Sequence, residues 1–169
     1  MDPAVMMQTR AAAAPPLTAS EAEVLQFLLP LSVDYPNLER WYRSKVVPDA
    51  ACGARLILRV EREGVLIGVG IAKKHPAERK ICTVRVAPSH ANRGTGPRIF
   101  DSLLKWLDVD QPHLTIGQHK LPLFERIFDY YGFSLSSTKR GVYVPGVFEL
   151  GYNEARHLAP MGTPRDPRT

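Results

Sequence analysis

Cysteine is nearly missing from this chain of 169 residues: only Cys52 and Cys82 are present. Two isolated thiols build no disulfide framework. No CxxC pair or Cys/His cluster offers a zinc site, so no metal is expected. A reducing compartment is the default for such a chain, and the expectation is a cytoplasmic protein. Long apolar runs are also absent. Nothing approaches the ~20 residues that cross a bilayer, and no membrane association is expected. The opening MDPAVMMQTRAAAAPP has no continuous apolar segment of the secretion-signal kind. There is no internal repeat. There is no GxxxxGK[ST] phosphate loop, and no GxGxxG, because Ile99 stands where the third glycine would fall.

What is present is ordinary in bulk and uneven in detail. Hydrophobic residues make up 44% and charged residues 23%, which fits one soluble domain able to bury its own core. The net charge of +5 favours anionic partners without choosing among nucleic acid, a phosphorylated cofactor and an acidic protein. Residues 1–16 and 155–169 are rich in proline, alanine and arginine and carry no apolar period. They are expected to be a flexible leader and a flexible tail around a single domain at 17–154.

The periodicities predict the order α-α-β-β-β-α-β-α-β-β, a mixed α/β sheet with helices on both faces. Val24, Leu25, Leu28 and Leu29 mark a first helix, capped near Thr18 and closed by Pro30. Leu38, Trp41, Tyr42 and Lys45 mark a short second one. The segments ARLILRVERE and VLIGVGIAKK read as a hairpin turning at Glu63-Gly64. KICTVRVAP is a third strand, with Ile81, Thr83 and Arg85 expected on one face and Cys82, Val84 and Val86 on the other. Ile99, Phe100, Leu103, Leu104 and Leu107 form the apolar face of the next helix. HLTIG is a strand, Leu121–Tyr131 a helix ended by Gly132, and two strands follow around 133–144 and 147–152.

Between the third strand and its helix lies Arg93-Gly94-Thr95-Gly96-Pro97-Arg98. Two glycines let successive backbone N–H groups curl into a nest. Pro97 suits a first helical turn, whose N–H groups lack internal partners. The helix dipole and two arginines add positive charge, so the turn is suited to phosphate. An ordinary strand-to-helix turn with solvated arginines is the alternative.

These residues resemble the GNAT acyltransferase superfamily. Val86-Ala87-Pro88 matches the family's V-x-P strand end. Ala91-Asn92-Arg93-Gly94-Thr95-Gly96 matches its Q/R-x-x-G-x-G/A turn, except that Ala91 replaces the usual Gln or Arg. Tyr131-Gly132-Phe133 matches a second family element, a helix closing in Gly-Phe before a strand. The resemblance spans roughly residues 17–154. It implies a central, mostly antiparallel sheet with helices on both faces. It also implies acetyl-CoA or another acyl-CoA as cofactor, with pyrophosphate on the N–H groups of Arg93–Arg98 and pantetheine along the backbone of Val84, Arg85 and Val86. A parallel strand pair, here Lys80–Val86 and His113–Gly117, would splay around the acyl group.

The implied activity is direct N-acyl transfer, most simply N-acetyl transfer, to an amine. Many family members place an acidic tyrosine four residues before the Gly-Phe pair, but here that position is Phe128. Tyr131 and Tyr143 are the alternative proton donors. His119, after the HLTIGQ strand, is the candidate base, with an ordinary pKa of ~6.5. Each of the three also reads as packing or surface. Glu61 and Glu63 can draw in a cationic amine or face solvent, and Cys82 reads as a small buried apolar residue. Two other readings stay open. The basic set Lys73, Lys74, Arg79, Lys80, Lys139 and Arg140 can contact tRNA or DNA, or the domain can bind acyl-CoA without catalysis. A monomer or homodimer fits equally.

Overall fold

The computed structural model describes residues 15–162. The expected leader therefore lies almost wholly outside the described residues, as does the end of the expected tail. Residues 155–162 differ from that expectation of flexibility. They form turns tied to the body, with His157 Nε2 3.3 Å from the Ala77 carbonyl oxygen and Gly162 N–H donating to Asp110 at 2.6 Å.

Helix α1 (Ala19–Leu28) opens with a capping box. The Thr18 hydroxyl accepts from Glu21 N–H, and the Glu21 carboxylate accepts from Thr18 N–H. The α-helix ends at Leu28, as expected from Pro30. Pro30 itself falls in the first turn of a 3-10 helix, Leu29–Val33, where its missing N–H has no bond to lose. The expected second helix is longer than its apolar marks. It runs through α2 (Leu38–Trp41), a wide π-type turn (Tyr42–Val46) and α3 (Val47–Ala51). Pro48, with no N–H to offer, sits just past the wide turn. Tyr42 is fully buried, and its hydroxyl donates to the Glu21 carbonyl at 2.9 Å, locking this helical unit together.

Strands β1 (Arg55–Arg62), β2 (Val65–His75) and β3 (Glu78–Val86) form an antiparallel meander. Glu63 and Gly64 both adopt positive φ, as a tight two-residue hairpin turn requires. The alternation expected along β3 is broken. Ile71 pairs Thr83 and Ala72 pairs Ile81, which leaves Cys82 as a bulge. Ile81 therefore shares a core with Val84 and Val86, whereas Cys82 packs into the other core. A second antiparallel sheet contains β4 (Leu114–Gly117), β5 (Leu135–Arg140) and β6 (Phe148–Tyr152), in the order β4-β6-β5.

Among the described residues the sheets are joined by one parallel bridge, Lys80 to His113. There Ile81 N–H donates to the His113 carbonyl at 3.0 Å, and His113 N–H donates to the Arg79 carbonyl at 2.8 Å. Glu78 staples the bridge through Lys73 Nζ at 3.0 Å and His113 Nδ1 at 3.1 Å. Burial alone would raise the Glu78 pKa, but the Lys73 and His113 bonds prevail and pull it down to about 2.

The N-terminal helices cover one face of the first sheet. Helix α4 (Thr95–Leu107) covers the other, and α5 (Leu121–Tyr131) lies with α4 over the second sheet. α4 approaches β2 closely because β2 carries Gly68 and Gly70. A Cβ on Gly70 would lie 2.6 Å from Ile99 Cγ2 and 3.1 Å from Leu103 Cδ1. Gly70→Ala is expected to cost ~1–3 kcal/mol through this overlap, seen as a lower denaturant midpoint with an unchanged m-value. An unchanged midpoint would show that α4 retreats freely. Glu78 makes a pH prediction. Its folded pKa lies below the ordinary 4.5, so the stability it contributes is present above pH 4.5 and lost as pH falls toward 2. Glu78→Gln should flatten the stability–pH curve in that window, as followed by urea titrations at several pH values.

Candidate functional site

Beyond the Lys80–His113 bridge, β3 and β4 part, because each follows its own sheet. The fork holds a cavity of about 250 Å³. Residues 81–86 line one side and 114–116 the other, with Phe100 of α4 and Phe124 and Phe128 of α5 closing it. A second cavity of about 380 Å³ adjoins it on the side of the N-terminal helices, between Trp41, Lys73, Lys80 and Tyr143. Tyr35, Cys82 and Thr115 line both cavities. These three residues are the partition between two chambers.

The glycine turn lies at the far end of the first chamber. Asn92 and Gly94 have φ of 58° and 81°, so the turn curls tightly into α4, with Gly94 as its N-cap. No side chain caps the helix, which leaves first-turn N–H groups such as those of Thr95 and Gly96 facing outward. A Cβ on Gly96 would be 4.0 Å from Val86 Cγ2, and Val86 lines the chamber. The nest and the fork are thus continuous. Thr95 is 2% exposed and packs toward Gly68, so only its backbone belongs to the nest. Arg93, Pro97 and Arg98 are exposed. Arg85 sends its guanidinium over the Phe27 ring, 4.5 Å from the centroid, while Val84 and Val86 face the opposite core.

The titratable candidates separate in space. Tyr131 does not reach the fork. Its hydroxyl donates to the Asp101 carboxylate and to the Pro97 carbonyl, and its ring stacks on Phe100. It lines a different cavity, with Asp101, Lys105 and Gln111 on the outer side of α4 and α5. The physical reason is helical geometry. Three residues past Phe128 the side chain has turned by roughly 60° and moved almost one turn along the axis. Burial, then the Asp101 bond, pushes the Tyr131 pKa up. His119 lines neither chamber of the fork but a small cavity beside them that it shares with Tyr35, Tyr143 and Glu149; its Nε2 lies 2.8 Å from Asp34, which Lys120 also holds at 2.7 Å. Tyr143 does border the partition. It packs edge-to-face on Tyr35 at 5.0 Å and lines the second chamber with Cys82 and Thr115. Burial, then the Glu149 charge, raises its pKa, so its hydroxyl is protonated at neutral pH.

Glu149 was not singled out by sequence reasoning. It is 7% exposed, and its Oε1 has no hydrogen-bond partner among the described residues. It lies opposite Gly117 on the sheet face that also carries Thr115. Burial raises its pKa more than Thr115, His119, Lys80 and Lys120 lower it. The sequence signal was faint: in Phe148-Glu149-Leu150, alternation puts Glu149 opposite the core face, where a carboxylate normally meets water. The basic set is dispersed. Lys73 and Lys80 face the second chamber, whereas Lys74 and Arg79 bond the Trp106 and Leu107 carbonyls at the end of α4. Lys139 and Arg140 lie apart on β5.

No candidate metal cluster occurs among the described residues, and none of their helices is long and apolar enough to cross a membrane. No curated protein matches the chain. Solved structures share its fold. One is an acetyltransferase of the GNAT family from Desulfovibrio desulfuricans, 14% identical over 80% of this chain and 92% of its own, with a TM-score of 0.63. Another is Arabidopsis thaliana Naa50 in complex with the bisubstrate analogue CoA-Ac-MVNAL, 14% identical over 82% and 95%, TM-score 0.59. A third is an aminoglycoside 6′-N-acetyltransferase complexed with coenzyme A, 11% identical over 78% and 88%, TM-score 0.56. Residues 21–112, more than half the chain, match the model of the acetyltransferase (GNAT) family. The chain belongs to the GNAT acetyltransferase family.

Proposed function

We propose that the protein is an N-acetyltransferase that passes the acetyl group of acetyl-CoA directly to an amine. The observation that carries this reading is the partition at Tyr35, Cys82 and Thr115. One chamber runs along β3 as far as Val86 and Pro88, beside the glycine turn, and the other lies against the N-terminal helices and Tyr143. Coenzyme A in complexes of fold neighbours supports the same assignment. The backbone N–H groups from Arg93 to Gly96 hold the pyrophosphate, with the Arg93 and Arg98 charges beside them. Val84, Arg85 and Val86 offer backbone to the pantetheine arm. The bound acetyl-CoA supplies the acyl carbon at the partition, where Cys82 has no ladder partner and backbone polar groups face the reacting oxygen.

The amine nitrogen bonds to that carbon, and the carbon–sulfur bond breaks. Glu149 accepts the proton from nitrogen by way of the Thr115 hydroxyl. Burial makes it a stronger base than an exposed carboxylate. Tyr143, a protonated hydroxyl that borders the partition from the second chamber, serves as the acid toward the leaving sulfur. His119 positions rather than reacts: through Asp34 it ties the N-terminal unit to the turn after β4. The dispersed basic residues give no continuous stripe for a nucleic-acid acceptor.

Gly96→Glu places bulk and negative charge in the nest. It is expected to abolish acetyl-CoA binding in calorimetric titration; full affinity in a folded variant would remove the cofactor assignment. Tight binding without thiol release on any amine would instead favour a non-catalytic role. Glu149→Gln should lower turnover by on the order of 10²–10⁴ while acetyl-CoA affinity holds. The sign of its stability effect is opposite. A raised carboxylate pKa means that ionisation in the folded state costs stability above the ordinary 4.5. The Gln variant should therefore melt higher at neutral pH, with the difference vanishing below that value. A slower variant that also loses neutral-pH stability would argue for a structural carboxylate.

A further inference from the structure

The second chamber carries more positive than negative charge, and its cations are not equally engaged. Arg55 is bound to Asp49 at 2.8 Å, donates to Cys82 Sγ at 3.2 Å and lies over the Trp41 ring. Lys73 is bound to Glu78 at 3.0 Å, and Glu78 also meets His113. Lys80 is different. It is half-buried and lines the chamber, and its Nζ makes no direct ion pair or hydrogen bond among the described residues, although its charge acts on Glu78 and Glu149 from a distance. It sits at the root of the fork, two residues before the partition residue Cys82. Around it the walls are apolar or aromatic: Leu38, Trp41, Val142, and Tyr35 packed on Tyr143.

Such a chamber selects. An amine arrives at neutral pH as an ammonium, and a wall with a surplus cation repels it. A second or third ammonium on the same molecule worsens this, because like charges repel more strongly in partly buried surroundings than in water. A carboxylate near the amine reverses the sign by pairing with Lys80. One ammonium without a direct partner matches a singly charged carboxylate; a phosphate dianion normally recruits several donors. The aromatic walls then take the apolar remainder.

We propose that the acceptor is an amine that also bears a carboxylate close to the nitrogen and carries an apolar or aromatic body, with Lys80 holding the carboxylate. This inference rests on reading the second chamber as the acceptor's entrance.

The test compares matched acceptors with acetyl-CoA: L-phenylalanine against phenethylamine, L-leucine against isopentylamine, and spermidine as a polycation. The expected result is a kcat/KM at least about tenfold higher for each amino acid than for its decarboxylated partner, with spermidine lowest. Lys80→Gln should erase the preference through KM, leave the acetyl-CoA dissociation constant unchanged, and be rescued by Lys80→Arg. A preference for the decarboxylated amine or spermidine, or a preference untouched in Lys80→Gln, overturns the proposal. A readout independent of turnover is tryptophan fluorescence during titration with N-acetyl-L-phenylalanine and with uncharged N-phenethylacetamide. Tighter binding of the carboxylate, lost in Lys80→Gln, supports the proposal; equal or absent binding overturns it. Acetyl-CoA binding measured on the same samples separates this failure from failure of the cofactor reading.

Discussion

Between Lys80 of β3 and His113 of β4 the two sheets share one short parallel contact, and the site exists because that contact does not continue. The backbone groups of β3 and β4 find partners in β2 and β6 instead. Past the bridge the inner edges are left facing each other across a gap. An unfilled edge of this kind is normally a liability, since unpaired backbone groups invite another strand. Here the same groups line a chamber suited to an extended ligand. The Glu78 staple matters because it fixes the point from which the strands diverge, and so the width of the fork at every later residue.

The second constraint is the closeness of α4 to β2. Gly68 and Gly70 remove the side chains that would hold the helix off, and Ile99 and Leu103 fill the space. Buried Thr95 anchors the first turn against the same strand. The helix N-terminus is thereby aimed along the end of β3. Positive partial charge, left-handed backbone at Asn92 and Gly94, and the exposed arginines then act on one spot. The glycines of β2 let backbone come close to α4, and Gly94, at a φ of 81°, lets the turn curl tightly into the helix.

Polar groups placed away from water show where the fold accepts a cost. Glu149 is buried with an oxygen unpartnered, and Lys80 is half-buried without a direct ion pair among the described residues. Either alone would destabilise a core. Lys80 lines the second chamber, and Glu149 lies in the small cavity beside it with Tyr35 and Tyr143. Tyr131 is the contrast. Its hydroxyl is bonded to Asp101 and Pro97, and its ring stacks on Phe100, so it has the surroundings of a residue that packs.

Local pattern alone determined much of this protein. The apolar period of Ile99 to Leu107, the alternation in β1 and β2, the Glu63-Gly64 turn and the Gly94–Gly96 nest each depend on residues a few positions apart. Short-range physics writes such features directly into sequence. The Cys82 bulge escaped that reading because a bulge is decided by the partner strand. Pro30 closes α1 as its sequence position predicts, and Pro48 is tolerated at a helix start because first-turn positions need no N–H. The choice of Tyr143 over Tyr131, the burial of Glu149 and the exposure of Lys80 to a chamber belong to tertiary structure. They require residues 35, 80, 82, 115 and 143, distant along the chain, to meet at one fork, with Glu149 in the cavity beside it. No period in the sequence encodes that meeting, because it follows from two sheets diverging around a single shared bridge.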